Sequence, residues 1–190
     1  MAVEGNTAGP LLVVIAGPSC TGKTTLGRRL AADLGVPFIA KDGIKERLFE
    51  TLGWSDRAWS RRLGVASIAV LYDTLERILA AGCSCVTESV FRPEYDDEPL
   101  REISARYGAS PFQIQCVTEG ETLWRRWQQR VASGARHPGH VEPTMYDEVR
   151  PQLLRGRLDP LHLDGPLVEV DTTDFAAVDY DALITAIRAA

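Results

Sequence analysis

The chain has 190 residues, 45% of them hydrophobic and 25% charged, with a formal net charge of −5. That length allows one domain with a core of its own. The acidic balance argues against nucleic acid as the main partner, because phosphate neutralisation favours a basic surface. No apolar run approaches the roughly 20 residues that span a membrane. Nor does a basic n-region with a cleavage site mark a signal peptide. Cys20, Cys83, Cys85 and Cys116 show neither zinc nor redox spacing. They read as free thiols of a reducing cytoplasm, with Cys83 and Cys85 buried on one side of a strand.

Residues 1–10 read as a loose leader. The apolar run Leu11–Ala16 is the first strand. Gly17-Pro18-Ser19-Cys20-Thr21-Gly22-Lys23-Thr24 follows it as G-x-x-x-x-G-K-T. This is a phosphate-binding loop in its proper setting of strand, glycine-rich turn and helix. Gly17 and Gly22 permit backbone angles that a side chain forbids, so the turn aims its N–H groups at phosphate oxygens. The helix that opens near Gly22 adds the positive end of its dipole. Ser19, Cys20, Thr21 and Thr25 belong to the same cradle. Lys23 reaches the β- and γ-phosphates, and the Thr24 hydroxyl is a ligand for Mg²⁺.

The first helix runs to Leu34, with Gly35 as its stop. A second short strand spans 36–40, and Asp42 caps a helix that closes at Gly53. An amphipathic stretch from Arg62 to Ala81 carries Leu63, Ala66, Val70, Leu75, Ile78 and Leu79 at helical period. Strands are expected at 84–87, 112–117 and 167–170. A short helix over 99–107 places Pro99 in its first turn, and the run Asp96-Asp97-Glu98 before it reads as solvated. Thr118-Glu119-Gly120-Glu121 has the form of a capping box for a helix through about Ser133. A loop covers 134–140, Pro143 starts a helical piece, and Pro151 bends or ends it. Asp179 caps a terminal helix over 180–188. Strands alternating with helices argue for a parallel sheet covered on both faces.

No Asn-Lys-x-Asp motif marks a guanine switch, and no arginine-finger motif of large motor ATPases is recognisable. After the second strand, Ala40-Lys41-Asp42-Gly43-Ile44-Lys45-Glu46-Arg47-Leu48 resembles the small-molecule and polynucleotide kinases of the phosphate-loop class. Glu88-Ser89-Val90-Phe91 and Glu169-Val170-Asp171-Thr172-Thr173 resemble chloramphenicol phosphotransferase-like members, and zeta-toxin-like proteins share the class. The resemblance implies a P-loop NTPase fold. That fold is a three-layer α/β/α sandwich on a five-stranded parallel sheet of order 2-3-1-4-5. It also implies a single kinase domain over 1–190, with a helical lid at about 123–142.

In the resemblance, Asp42 faces the acceptor hydroxyl and takes or orients its proton. Lys45, one turn on, points into the same cleft. Glu88 serves either Mg²⁺ or the acceptor. Arg125, Arg126, Arg130 and Arg136 cluster after the fourth strand. Arg130 is the first candidate to stabilise the transferring phosphoryl group, and Arg126 is the second. Arg136-His137-Pro138-Gly139-His140 is a candidate contact for phosphate or acceptor, and Thr172 lies where a loop passes the adenine ring. Trp54, Trp59, Arg61 and Tyr72 are candidates for the acceptor pocket.

The expected activity is transfer of the γ-phosphate of ATP, with Mg²⁺, to a hydroxyl of a natural product, antibiotic, sugar, nucleoside or metabolite in the cytoplasm. A polynucleotide 5′-hydroxyl kinase and a non-catalytic ATP-binding regulator are the alternatives. The sequence leaves the acceptor and the oligomeric state open.

Overall fold

The computed structural model describes residues 9–190, so most of the expected leader lies outside the described residues. Five strands form one sheet: β1 (Leu11–Ala16), β2 (Phe38–Ala40), β3 (Cys85–Glu88), β4 (Ser110–Val117) and β5 (Leu167–Asp171). Their order is β2-β3-β1-β4-β5, and every pairing is parallel. Parallel pairing requires crossovers, and among the described residues seven α-helices supply or follow them. These are α1 (Lys23–Leu34), α2 (Lys41–Leu52), α3 (Arg57–Ala80), α4 (Pro93–Tyr107), α5 (Gly120–Ser133), α6 (Tyr146–Leu154) and α7 (Tyr180–Arg188).

The continuous apolar run of β1 is explained by its central place. Val13 and Ile15 feed a core with Leu26 and Leu30 of α1 and Leu183 and Ile187 of α7. Leu12, Val14 and Ala16 feed a second core with Leu71, Leu75 and Leu79 of α3 and Leu100 of α4. A strand buried on both faces has no polar alternation to show. A smaller cluster of Leu123, Trp127 and Leu153 holds α5 against α6. Among the described residues, no helix is long and apolar enough to cross a membrane.

Several boundaries differ from expectation for local reasons. α3 begins five residues early, at Arg57, because Asp56 accepts a hydrogen bond from the Trp59 amide. Its buried stripe runs through Leu63, Ser67, Leu71, Leu75 and Leu79, leaving Ala66 and Val70 exposed. α4 begins at Pro93, so Pro99 lies inside it. The acidic run is partly buried: Asp96 accepts from the Tyr72 hydroxyl and the Arg92 amide, and Asp97 accepts from the His162 amide at 2.9 Å. The capping box does not form. Thr118 instead meets Thr172 at 2.5 Å, and α5 opens after Glu119 with no side-chain cap. Pro151 is accommodated within α6. Asp179 does cap α7, accepting from the Ala182 amide at 3.0 Å. Cys83 is exposed rather than buried, whereas burial pushes the Cys85 and Cys116 thiols up to about 12.

Candidate active site

The sheet register brings three chain segments together at its carboxyl edge. Ile15 of β1 and Ala40 of β2 both align with Glu88, the last residue of β3. The loop after β1, the start of α2 and the Glu88 side chain therefore share one end of the sheet, where open α/β folds bind ligands.

The loop after β1 is shaped by its backbone. Gly17 has φ 139°, and a Cβ there would stand 2.4 Å from the Cys116 carbonyl oxygen. Gly22 has φ 86°, and its missing side chain is replaced by the Phe175 ring. Cys20 adopts φ 69°, a left-handed conformation that its side chain disfavours. Such alternation turns successive amides inward and makes an anion cradle. The Thr21 hydroxyl donates to the Pro18 carbonyl at 3.1 Å, so this fully buried residue builds the loop rather than lining the cleft. Lys23 donates to the same carbonyl at 2.6 Å. Thr24 donates to Glu88 at 2.9 Å, and Glu88 is itself buried.

The facing wall is built from charge. Arg136 donates one nitrogen to Asp42 and another to Glu142, the latter at 2.8 Å. Arg130 engages both Glu142 oxygens. The result is a chain Asp42–Arg136–Glu142–Arg130 that joins α2 to α5, to the loop after it and to the 3-10 turn at 142–144. Burial pushes the Asp42 carboxyl up, but Arg136 and Lys41 outweigh it and hold Asp42 well below the usual carboxylate range. Burial lowers Arg136, and Asp42 and Glu142 more than restore it. Arg126 donates to the carbonyls of Thr172 and Thr173, both at 2.9 Å.

Between the walls lies a cleft of about 320 Å³. Ser19, Cys20, Gly22, Lys23, Thr24 and Thr25 line one side of it. Asp42, Glu88, Arg126, Arg130 and Arg136 line the rest. Such a cleft offers an anion cradle, hard oxygen ligands, an arginine-paired carboxylate and three guanidinium groups within one enclosure.

The AAA-domain family matches residues 12–150. The chain belongs to that family. No curated protein matches it significantly. Among solved structures, a protein from Chloroflexus aurantiacus, provisionally named a kinase, is 42% identical. The match covers 95% of this chain and 98% of that one, with a TM-score of 0.87. A sugar kinase from Janibacter sp. is 18% identical over 93% of this chain and 91% of its own, with a TM-score of 0.59. A gluconokinase from Sinorhizobium meliloti is 20% identical over 96% and 91%, with a TM-score of 0.53. These last two share the fold. The resemblance to phosphate-loop small-molecule kinases, read from Gly17–Thr24 and from Asp42, agrees with the family and with the sheet order.

Several sequence candidates take other places than expected. Asp42 is not the cap of α2: Ala40 holds that position, and Asp42 lies in the first helical turn with its carboxylate facing Arg136. Lys45 points away from the phosphate loop, into the contact between α2 and α3, where it donates to Ser60 at 2.9 Å. Burial there, with Lys41 nearby, lowers it to about 8. His137 stacks on Phe49 at 5.1 Å and accepts from the Gly139 amide. His140 also packs on Phe49 and meets Glu46 at 3.1 Å. Thr172 spends its hydroxyl on Thr118 and the Val117 carbonyl, so only its own carbonyl, held by Arg126, touches the site. Tyr72 is tied to Asp96 away from the cleft, and Arg61 pairs with Glu148 at 3.2 Å. Trp59 donates to the Gly53 carbonyl at 3.0 Å. Glu142 escaped sequence reasoning altogether. Nothing around it marks a site, because its partners Arg130 and Arg136 matter only once the chain has folded.

Proposed function

We propose that the protein is a Mg²⁺-dependent kinase that moves the γ-phosphoryl group of ATP to an alcohol on a small molecule. The observation that supports this reading is the cleft lined by Ser19, Cys20, Gly22, Lys23, Thr24 and Thr25 together with Asp42 and three arginines.

Each residue has a job that follows from its chemistry. The inward amides and Lys23 hold the β- and γ-phosphates and draw charge from the bond that breaks. The Thr24 hydroxyl and the Glu88 carboxylate form a pair of hard oxygen ligands, which suits Mg²⁺ better than a softer metal. When bound, Mg²⁺ supplies charge neutralisation on the phosphate oxygens. Paired with Arg136, Asp42 is held well below the usual carboxylate range and is a weak base; once Arg136 yields it, the carboxylate orients the acceptor's hydroxyl and takes its proton as the oxygen attacks. A new bond forms between that oxygen and the γ-phosphorus. The bond from phosphorus to the β-bridging oxygen breaks, and its electron pair leaves with ADP. Arg130 and Arg126 line the cleft, and their guanidinium groups would stabilise the negative charge that spreads over the equatorial oxygens. The segment at about 123–142 acts as a lid that excludes water and so limits hydrolysis.

The test is an ADP-release assay with ATP, Mg²⁺ and a panel of alcohols, with the phosphorylated product identified by mass. The reading predicts release that depends on the acceptor. ADP release at one slow rate with every compound, and no phosphomonoester, would contradict it.

A further inference from the structure

A second cavity of about 440 Å³ opens beside the phosphate cleft. The two share a wall, because Arg130 and Arg136 line both. From the geometry we infer that this second cavity binds the body of the acceptor, and that the acceptor is an uncharged alcohol with an aromatic or otherwise apolar body rather than a polyol or a sugar acid. The inference rests on the kinase reading above and adds the substrate class.

Three observations carry it. The first is the lining: Trp54, Val131, Pro138, Val141 and Pro143 present apolar surface, and Trp54 stands half exposed at 50%. The volume falls in the range typical of small-molecule sites, roughly 300–1,000 Å³. The second is the shortage of polar partners. The Thr144 hydroxyl already donates to the Val141 carbonyl at 2.8 Å, and His137 Nδ1 already accepts from the Gly139 amide. Apart from Arg130, Arg136 and Glu142, which are engaged in ion pairs, the side-chain polar groups of the lining that remain are the indole N–H of Trp54 and the His137 Nε2. A polyol would give up more hydrogen bonds to water than this wall returns, and each unmatched hydroxyl costs affinity. The third is charge. The shared wall carries two guanidinium groups, Arg130 and Arg136, and they are matched by the carboxylates of Asp42 and Glu142. A carboxylate on the acceptor would find no unneutralised partner there.

The arrangement also states how the hydroxyl reaches its base. Arg136 bridges Asp42 and Glu142 through different nitrogens. The nitrogen on Asp42 must yield that carboxylate to the incoming hydroxyl, while the other nitrogen keeps its hold on Glu142. Released from Asp42, the guanidinium faces the transferring phosphoryl group.

The experiment compares phosphoryl transfer to phenyl-substituted primary alcohols of three chain lengths with transfer to glucose and gluconate, using wild type, Trp54→Ala and Trp54→Phe. The expected result is transfer to the aryl alcohols, an acceptor KM about tenfold higher in Trp54→Ala, and recovery in Trp54→Phe. The KM for ATP should hold steady in both variants, which separates lost acceptor contact from misfolding. Transfer confined to glucose or gluconate overturns the inference and leaves the kinase reading standing. An acceptor KM unmoved by Trp54→Ala does the same. No transfer to any of the compounds, with ATP bound normally, counts against both.

Discussion

The phosphate-loop wall of the cleft is set by main chain, whereas the wall across from it is set by side-chain charge. On the first wall, three non-standard backbone angles at Gly17, Cys20 and Gly22 are locked between β1 and α1, with the core of both sheet faces beneath. Its shape rests on these main-chain angles, with Thr21 and Lys23 tying the loop through the Pro18 carbonyl. On the second wall, Asp42, Arg136, Glu142 and Arg130 hold one another by ion pairs, and Asp42 meets Arg136 across 94 residues of sequence. A preorganised backbone cradle suits a ligand common to many proteins. A network of exchangeable ion pairs suits a partner that must enter, be aligned and leave. Under the proposed kinase reading, the contrast gives affinity for nucleotide and control of transfer separate physical supports, so they should respond differently to substitution.

The sharpest blow to the first wall is Lys23→Ala. It removes the charge on the cradle while leaving the backbone angles alone. Acceptor-dependent turnover should fall about a thousandfold, with an unchanged circular dichroism spectrum. A modest loss would mean that the amides carry the phosphates unaided.

Glu142→Ala tests the second wall. Glu142 is 7% exposed and neutralises two arginines, so its removal strands Arg130 and Arg136 against each other. Stability should drop by about 3 kcal/mol in denaturant unfolding, because breaking one side of a buried pair leaves uncompensated charge. Replacing Glu142 should leave ATP affinity closer to wild type than it leaves turnover. Equal effects on both would erase the distinction between the walls.

The smallest effect concerns pH. Burial and the nearby Arg136 keep His140 neutral, lowering it to about 2 from its ordinary 6.5. The unfolded chain therefore binds the extra proton between those values, and stability should fall as pH drops below 6.5. The depressed carboxyl of Asp42 acts later, since its contribution is present above the ordinary carboxylate range and is lost only as pH falls through its lower folded value. Thermal unfolding between pH 7 and 5 should show a loss of about 1–2 kcal/mol in the wild type. His140→Gln should flatten that window. A flat wild-type profile would mean that Glu46, 3.1 Å from the ring, keeps His140 charged in the fold.

The same division explains what could be read from sequence. Gly17, Gly22, Lys23 and Thr24 were legible because the cradle requires particular residues at fixed local spacing. The sheet order followed from the class of proteins they resemble, and strand β1 from an unbroken apolar run. Asp42 was legible as a residue of the site but not as a partner of Arg136, 94 positions away. Lys45 was misplaced because helical spacing alone does not say which neighbour a helix face meets; α3 supplies Ser60 instead of the cleft. Asp96 and Asp97 looked like a solvated run because their burial depends on Tyr72 and on the segment around His162, neither nearby in sequence. The apolar cavity was half visible: Trp54 was singled out, but Val131, Pro138 and Pro143 join it only through folding of the chain after α5.

The most direct test of the account is a single-turnover comparison of wild type and Asp42→Asn with ATP, Mg²⁺ and an alcohol that accepts phosphate. The account predicts that the rate of phosphoryl transfer falls by about a hundredfold or more while the Kd for ATP is unchanged, since the carboxylate serves the hydroxyl and not the nucleotide. A transfer rate close to wild type, or a loss matched by an equal weakening of ATP binding, would contradict it.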